Sequence, residues 1–351
     1  MKILFVTNDL HDAVTSRTYF QQWVKSHTEH TVQICSPKGA VGMENSRDII
    51  FYPERGFSIS NYYALQDILT KEEADIVIFR GIELVALSVF LKISGKNVFL
   101  LTGLGKVWDP ALRSAFLLRP LYKLFLAFSM SMKNARIILQ NEQDAQDLKQ
   151  IDAFILRSSG VKQETIVPVQ SESPLKIVTA SRINKAKGVR AIIEFSKAIM
   201  NNPKYTYDVF GSFDDCSCEM KQEIARINSE STNVHWHGHT PPDQFNLANY
   251  HLAYFPSRYR EGSPRFLIES IQIGLVVITG NAPGCELLVS NGNGAQVQNV
   301  KQAVDFLSKL DTQTLRQMSK KSIQLFAEKF DNHIVYSQLI SFFERLNTSS
   351  K

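Results

Sequence analysis

The stretch YREGSPRFLIES, residues 259–270, sets Glu261 and Glu269 on either side of the turn Gly262-Ser263-Pro264. Ser263 suits the N-cap of a helix and Pro264 its first turn. A helix starting there presents backbone amides, including those of Arg265 and Phe266, and the positive end of its dipole, which together form an anion site. A second stretch, VTASRINKAKG, carries Arg182 and Lys187 in the loop after another expected strand. A helix start, an arginine and a lysine together suit a diphosphate. Glu269, inside the helix, can accept hydrogen bonds from two vicinal hydroxyls, as a ribose offers. Glu261 lies at the mouth, where a sugar would sit. By itself, a pair of glutamates at this spacing more often marks a surface helix with solvated carboxylates, so the surroundings have to decide.

Those surroundings are two rounds of alternating strand and helix. Short Val- and Ile-rich runs at 2–7, 31–35, 75–79, 97–102 and 135–140 are separated by helical patterns such as 15–27, 61–73 and 83–94. Buried strands with helices between them imply a parallel sheet covered on both faces. The polar stretch VPVQSESPLK, 167–176, reads as a linker. The alternation restarts with strands at 175–181, 205–211, 233–238, 252–257 and 275–280, and helices at 187–200, 218–229, 243–250 and 264–273. A doubly wound second domain binds ligands at the carboxyl ends of its strands. The expected organisation is a first domain over 1–168, a second over 169–329, and a C-terminal helix within 330–351 that packs back toward the first.

The bulk composition is that of a globular chain: 351 residues, 44% hydrophobic and 21% charged, net charge +5. This mild basic bias fits an anionic ligand or a membrane surface and does not argue for nucleic acid. Four cysteines, Cys35, Cys216, Cys218 and Cys285, are no disulfide framework and fit a reducing compartment. Cys216-Ser-Cys218 has no second pair at zinc spacing. The opening MKILFVT reads as a buried strand and not as a secretory leader. No run is apolar for long enough to span a bilayer.

Two further features stand out. His235, His237 and His239 alternate near a strand end, where a polar strand terminus is the simpler reading than a metal site. Residues 106–136 carry Lys106, Arg113, Arg119, Lys123, Lys133 and Arg136 against Asp109, interleaved with leucine and phenylalanine. That pattern fits either an amphipathic helix on an anionic membrane or a domain-covering helix with a solvated basic edge.

Residues 256–297 resemble the signature of the family 4 retaining glycosyltransferases of the GT-B fold, and ASRINKAKG resembles that family's Arg-x₄-Lys-Gly loop. Gly211 and Gly238 match glycines after the next two strands. TGLGKVW (102–108), QNEQD (140–144) and RSSGV (157–161) are similar, in order, to bacterial members that extend lipid-linked oligosaccharide, O-antigen or capsule units. The resemblance implies an α/β GT-B protein, two doubly wound Rossmann-like domains facing across a cleft. Arg182 and Lys187 would neutralise the diphosphate, Glu261 would sit by the donor sugar, and Glu269 would hold the ribose. Gly211, Gly262, Ser263, Pro264 and Arg265 would complete the donor site. Arg17, Arg80, Gly103 and Gly105 would line the acceptor side. Where related enzymes carry a His-Arg pair after the first strand, this chain has Ser16 and Arg17. Where they carry histidines and a lysine, it has Ile78, Phe79 and Glu83.

The expectation is therefore a glycosyltransferase acting with retention. It would move a hexose or N-acetylhexosamine from a UDP-sugar to a glycan acceptor linked to polyprenyl diphosphate, at the cytoplasmic membrane face. No cofactor is implied and, with no Asp-x-Asp in the chain, no catalytic metal. The rival readings are a GT-B sugar-nucleotide epimerase and a degenerate sugar-nucleotide-binding subunit.

Overall fold

The structure, a computed structural model, describes residues 1–9, 15, 17–38, 49–54, 58–108, 113–149, 152–164, 174–214, 216–241 and 244–348, without the side chains of 106 and 113–115. Ser16, Asp109 and most of the expected linker lie outside the described residues, as do the side chains of Lys106 and Arg113. The chain divides into two compact units, Met1–Gln163 with Phe330–Lys351, and Glu164–Lys329.

The first unit is a seven-stranded parallel sheet. Its strands are β1 (Lys2–Thr7), β2 (Thr31–Pro37), β3 (Ile49–Tyr52), β4 (Ile76–Arg80), β5 (Lys96–Leu101), β6 (Arg136–Leu139) and β7 (Ala153–Ile155). They lie in the order β3-β2-β1-β4-β5-β6-β7. Interior strands such as β1 and β4 are apolar on both faces because helices cover both. Those helices are α1 (Thr18–His27), α2 (Ile59–Glu72), α3 (Ile82–Ser88), α4 (Arg119–Lys133) and α5 (Glu142–Leu148). The C-terminal helix Asn332–Thr348 joins this unit. It buries Val335, Tyr336, Leu339, Ile340, Phe342 and Phe343 beside Phe5 and Phe20, and Phe342 stacks on Phe154 at 4.5 Å. Asn332 fastens its start: Nδ2 donates to the Val161 carbonyl at 2.6 Å, and Oδ1 accepts from the Val161 amide at 3.3 Å.

The second unit is a six-stranded parallel sheet. Its strands are β8 (Leu175–Ala180), β9 (Tyr205–Phe210), β10 (Val234–Gly238), β11 (Leu252–Phe255), β12 (Val276–Gly280) and β13 (Gly294–Val297), in the order β10-β9-β8-β11-β12-β13. Helices α6 (Val189–Ile199), α7 (Cys218–Glu230), α8 (Arg265–Gln272), α9 (Val300–Ser308) and α10 (Thr312–Lys329) cover it.

The local reading needs four corrections. Strands β3, β7 and β13 are short and carry too little pattern to be seen alone. The helix expected over 83–94 ends at Ser88, whose hydroxyl donates back to the Val85 carbonyl. The expected helix 243–250 is one 3₁₀ turn, Leu247–Asn249. Finally, Pro264 and not Ser263 occupies the cap of α8. Its backbone is extended, and its carbonyl accepts from the amides of Leu267 and Ile268.

Candidate functional site

In a doubly wound sheet the crevice for a ligand opens where successive strands depart in opposite directions. In the second unit that point lies between β8 and β11. The loop after β8 carries Lys187, and the loop after β11 carries Glu261. Their side chains meet there, with Lys187 Nζ donating to Glu261 Oε1 at 2.5 Å. The two side chains are only 16% and 11% exposed. Ser257 Oγ donates to the same oxygen at 2.8 Å. The Lys187 ammonium also lies 5.5 Å from the Phe255 ring centre and 5.8 Å from that of Tyr259, aromatic faces that attract a cation.

The loop after β8 is held by Asn184, whose side-chain oxygen accepts from the Lys187 amide at 2.9 Å. Arg182, at the same strand end, is exposed, and its guanidinium makes no hydrogen bond or ion pair among the described residues. It remains available to an anion. Gly262 and Pro264 are buried, Ser263 half-buried, and α8 starts directly behind them. Within α8, Arg265 Nε donates to Glu269 Oε1 at 2.7 Å, so the carboxylate expected to read a ribose is oriented by its neighbour one turn away.

Close backbone packing sets the shape of this crevice. Gly211 follows β9 at φ +149°, and a Cβ there would sit 1.7 Å from the Ser181 carbonyl oxygen. Gly284, at φ +81°, would place one 2.4 Å from the carbonyl oxygens of both Glu261 and Gly262. Cys285 is fully buried next to it. Burial pushes its thiol pKa up, the Glu261 carboxylate pushes it further, and Lys187 partly opposes both.

The first unit repeats the arrangement at its own reversal, between β1 and β4. Asn8 and Asp9 follow β1, while Arg80 ends β4 and Glu83 lies in α3. Asn8 Nδ2 donates to Glu83 Oε2 at 3.0 Å, and Arg80 donates to Asp9 Oδ2 at 3.4 Å. Tyr52 OH bonds the Thr7 carbonyl at 2.9 Å and Asn8 Oδ1 at 2.5 Å. Arg17 is buried, its guanidinium 4.9 Å from the centre of the Phe5 ring. Gly103 and Gly105 follow β5.

Sequence reasoning missed Ser257, Asn184, Gly284, Asn8, Asp9, Tyr52 and the bonded role of Glu83. Their signal was positional: each falls at or within four residues of a strand's carboxyl end. A carboxylate stands beside the histidine row: His237 Nε2 lies 2.6 Å from Asp208 Oδ1, and Tyr250 OH donates to Asp208 Oδ2 at 3.1 Å. His239 lies beyond the strand end. Among the described residues no three His, Cys, Asp or Glu side chains gather as a metal set.

Two parallel-sheet α/β units with polar groups at each reversal define a GT-B protein, and solved structures share that fold over the full length. Sucrose-phosphate synthase from Thermosynechococcus elongatus superposes with a TM-score of 0.80 at 14% identity, covering 100% of both chains. A glycosyltransferase from Rickettsia africae ESF-5 gives 0.74 at 18% identity, covering 99% of each. Anabaena HepE, in complex with UDP and glucose, gives 0.73 at 14%, covering 98% of this chain and 100% of that one. Residues 162–325, a little under half of the chain, match the family described as glycosyl transferases group 1. A curated relative is 23% identical over 254 residues, 66% of this chain and 64% of that protein, so the match spans less than two thirds of the relative's length. It is the N,N'-diacetylbacillosaminyl-diphospho-undecaprenol alpha-1,3-N-acetylgalactosaminyltransferase of Campylobacter jejuni.

Proposed function

We propose that the protein is a retaining glycosyltransferase. It takes a hexose or N-acetylhexosamine from a UDP-sugar and joins it to a hydroxyl of a glycan acceptor carried on polyprenyl diphosphate. The observation that carries this reading is the largely buried Lys187–Glu261 pair at the reversal of the second sheet, against the start of α8. In the reaction, the bond from the anomeric carbon to the diphosphate oxygen breaks and a bond to the acceptor oxygen forms on the same face. The acceptor's proton passes to the departing diphosphate. Charge grows on that diphosphate, and Lys187, Arg182 and the helix start are groups that stabilise it as it develops. Glu261 holds the Lys187 ammonium in place and borders the sugar. Glu269, oriented by Arg265, accepts from the ribose hydroxyls. Asn8, Asp9, Arg80 and Glu83 offer donors and acceptors to an acceptor sugar. The Campylobacter relative's lipid-linked acceptor and the UDP held by Anabaena HepE support the choice of acceptor and nucleotide.

The test is a thermal-shift series with UDP, GDP and their sugars, followed by transfer to undecaprenyl-diphosphate-linked saccharides with the product anomer read by NMR. UDP and one UDP-sugar should raise the melting temperature by mass action, and the product should keep the donor's anomeric configuration. No stabilisation by any nucleotide would overturn the reading. Stabilisation and turnover without an acceptor would favour an epimerase, and stabilisation with no turnover a binding subunit.

A further inference from the structure

Helix α4 and the 3₁₀ turn Arg113–Leu118 before it present an uncovered apolar face. Leu117, Leu121, Leu124, Phe128 and Met132 are 52–76% exposed and recur every three or four residues. The opposite side of α4 is the one that packs: Leu126 and Ser129 are buried, and Tyr122, Phe125 and Met130 lie against the core of the first unit. The helix therefore covers its domain with one face and leaves a second apolar face in the open. A contiguous apolar strip of this kind on a soluble surface marks an interaction site.

Charge decides between occupants. From 110 to 141 the chain has no Asp or Glu, and it carries Arg113, Arg119, Lys123, Lys133 and Arg136. A second copy of this chain meeting the strip about a twofold axis would set these like charges against each other. An anionic bilayer would complement them. We propose that this face docks on an anionic membrane, with the leucines and Phe128 entering the interfacial region and the basic residues over the headgroups.

The share carried by charge is smaller than the sequence alone indicates. Arg119 is committed to the protein: Nε donates to the Val107 carbonyl at 3.2 Å, and its guanidinium lies over Phe116 and Trp108 at 5.0 and 5.8 Å. Lys133 donates to the Leu91 carbonyl at 2.7 Å, and burial lowers its pKa. Insertion of the apolar strip then carries most of the binding, and salt releases only part of it. No described helix is long and apolar enough to cross a membrane, so the contact is with one surface.

The test is sedimentation of the full chain with phosphatidylglycerol/phosphatidylcholine vesicles and with phosphatidylcholine alone, at low and at 1 M salt. Wild type should bind the anionic vesicles more tightly, and a measurable fraction should stay bound at high salt. The combined variant Leu117→Gln, Leu121→Gln, Leu124→Gln removes three exposed side chains and should weaken binding by about a hundredfold. Its melting temperature and its shift with UDP should be unchanged, because neither depends on this face, which keeps the inference separable from the donor reading. If the combined variant melts early, Phe128→Ser alone, expected to weaken binding about fivefold, decides. Equal sedimentation of folded variant and wild type would overturn the proposal. So would a wild-type dimer in light scattering that the variant dissolves.

Discussion

Lys187 and Glu261 lie 74 positions apart in the chain and 2.5 Å apart at Nζ and Oε1. They come from the loops after β8 and β11, the two strands that flank the reversal of the second sheet. Both side chains are largely shielded from water, so each depends on the other in a way that an exposed pair does not. Arg182, in the same loop as Lys187, is exposed and has no such partner among the described residues.

That contrast separates two variants. Lys187→Ala takes the ammonium away from a buried carboxylate that Ser257 also bonds, and should cost about 1–3 kcal/mol of stability as well as about 10²-fold in turnover. Arg182→Ala should lower turnover on the same scale while leaving stability within about 0.5 kcal/mol. Denaturant titration beside transfer assays checks both. Full turnover in a folded Lys187→Ala protein would remove that lysine from the site.

The two glutamates should differ. Glu269→Gln should weaken free UDP and the donor sugar alike, because the ribose is common to both. Glu261→Gln should spare free UDP and reduce turnover if, as proposed, it borders the sugar. Calorimetric binding of UDP to each variant, set against their rates, distinguishes the roles, and the opposite pattern would exchange them.

Gly284→Ala forces a Cβ to within 2.4 Å of the Glu261 and Gly262 carbonyl oxygens at a positive φ. The neighbours are backbone and cannot swing away. A loss of about 1–3 kcal/mol and a smaller melting shift with UDP are expected, whereas an unchanged shift would show that the loop tolerates displacement.

The thiols give a pH dependence. Burial raises the pKa of Cys35 and Cys285 in the folded chain. From about pH 8.5 upward the unfolded chain releases these protons while the folded chain keeps them, so stability falls as pH rises, by up to about 1.4 kcal/mol per thiol per pH unit. Urea titrations at pH 8 and pH 9.5 should show the fall, and Cys35→Ala should reduce it. A maleimide should label exposed Cys218 quickly and the two buried cysteines only on unfolding.

Asn332→Ala removes both bonds to Val161 and leaves the buried amide and carbonyl without those partners. A loss of about 1–3 kcal/mol is expected, with early proteolysis after residue 330 as its signature. Wild-type melting would show that the apolar face of the C-terminal helix suffices.

Much of this protein was legible in its sequence, because period and punctuation are local. The apolar runs of β1, β4, β5, β8, β9, β11 and β12 announce themselves, and parallel pairing follows from the helices between them. The residue types at 182, 187, 261 and 269 suggested a diphosphate and ribose site for the same reason, since the first three lie in loops after strands and the last within the helix that follows. What the sequence could not determine was pairing. That Glu261 takes Lys187 and that Asn8 reaches Glu83 depend on strand order, which brings distant strand ends together at a reversal. The outward turn of Leu121, Leu124 and Phe128 was equally undecided. An apolar residue every third or fourth position gives a face but not its direction, and only the packing of Leu126 and Ser129 against the sheet shows which face of α4 was left for something else to cover.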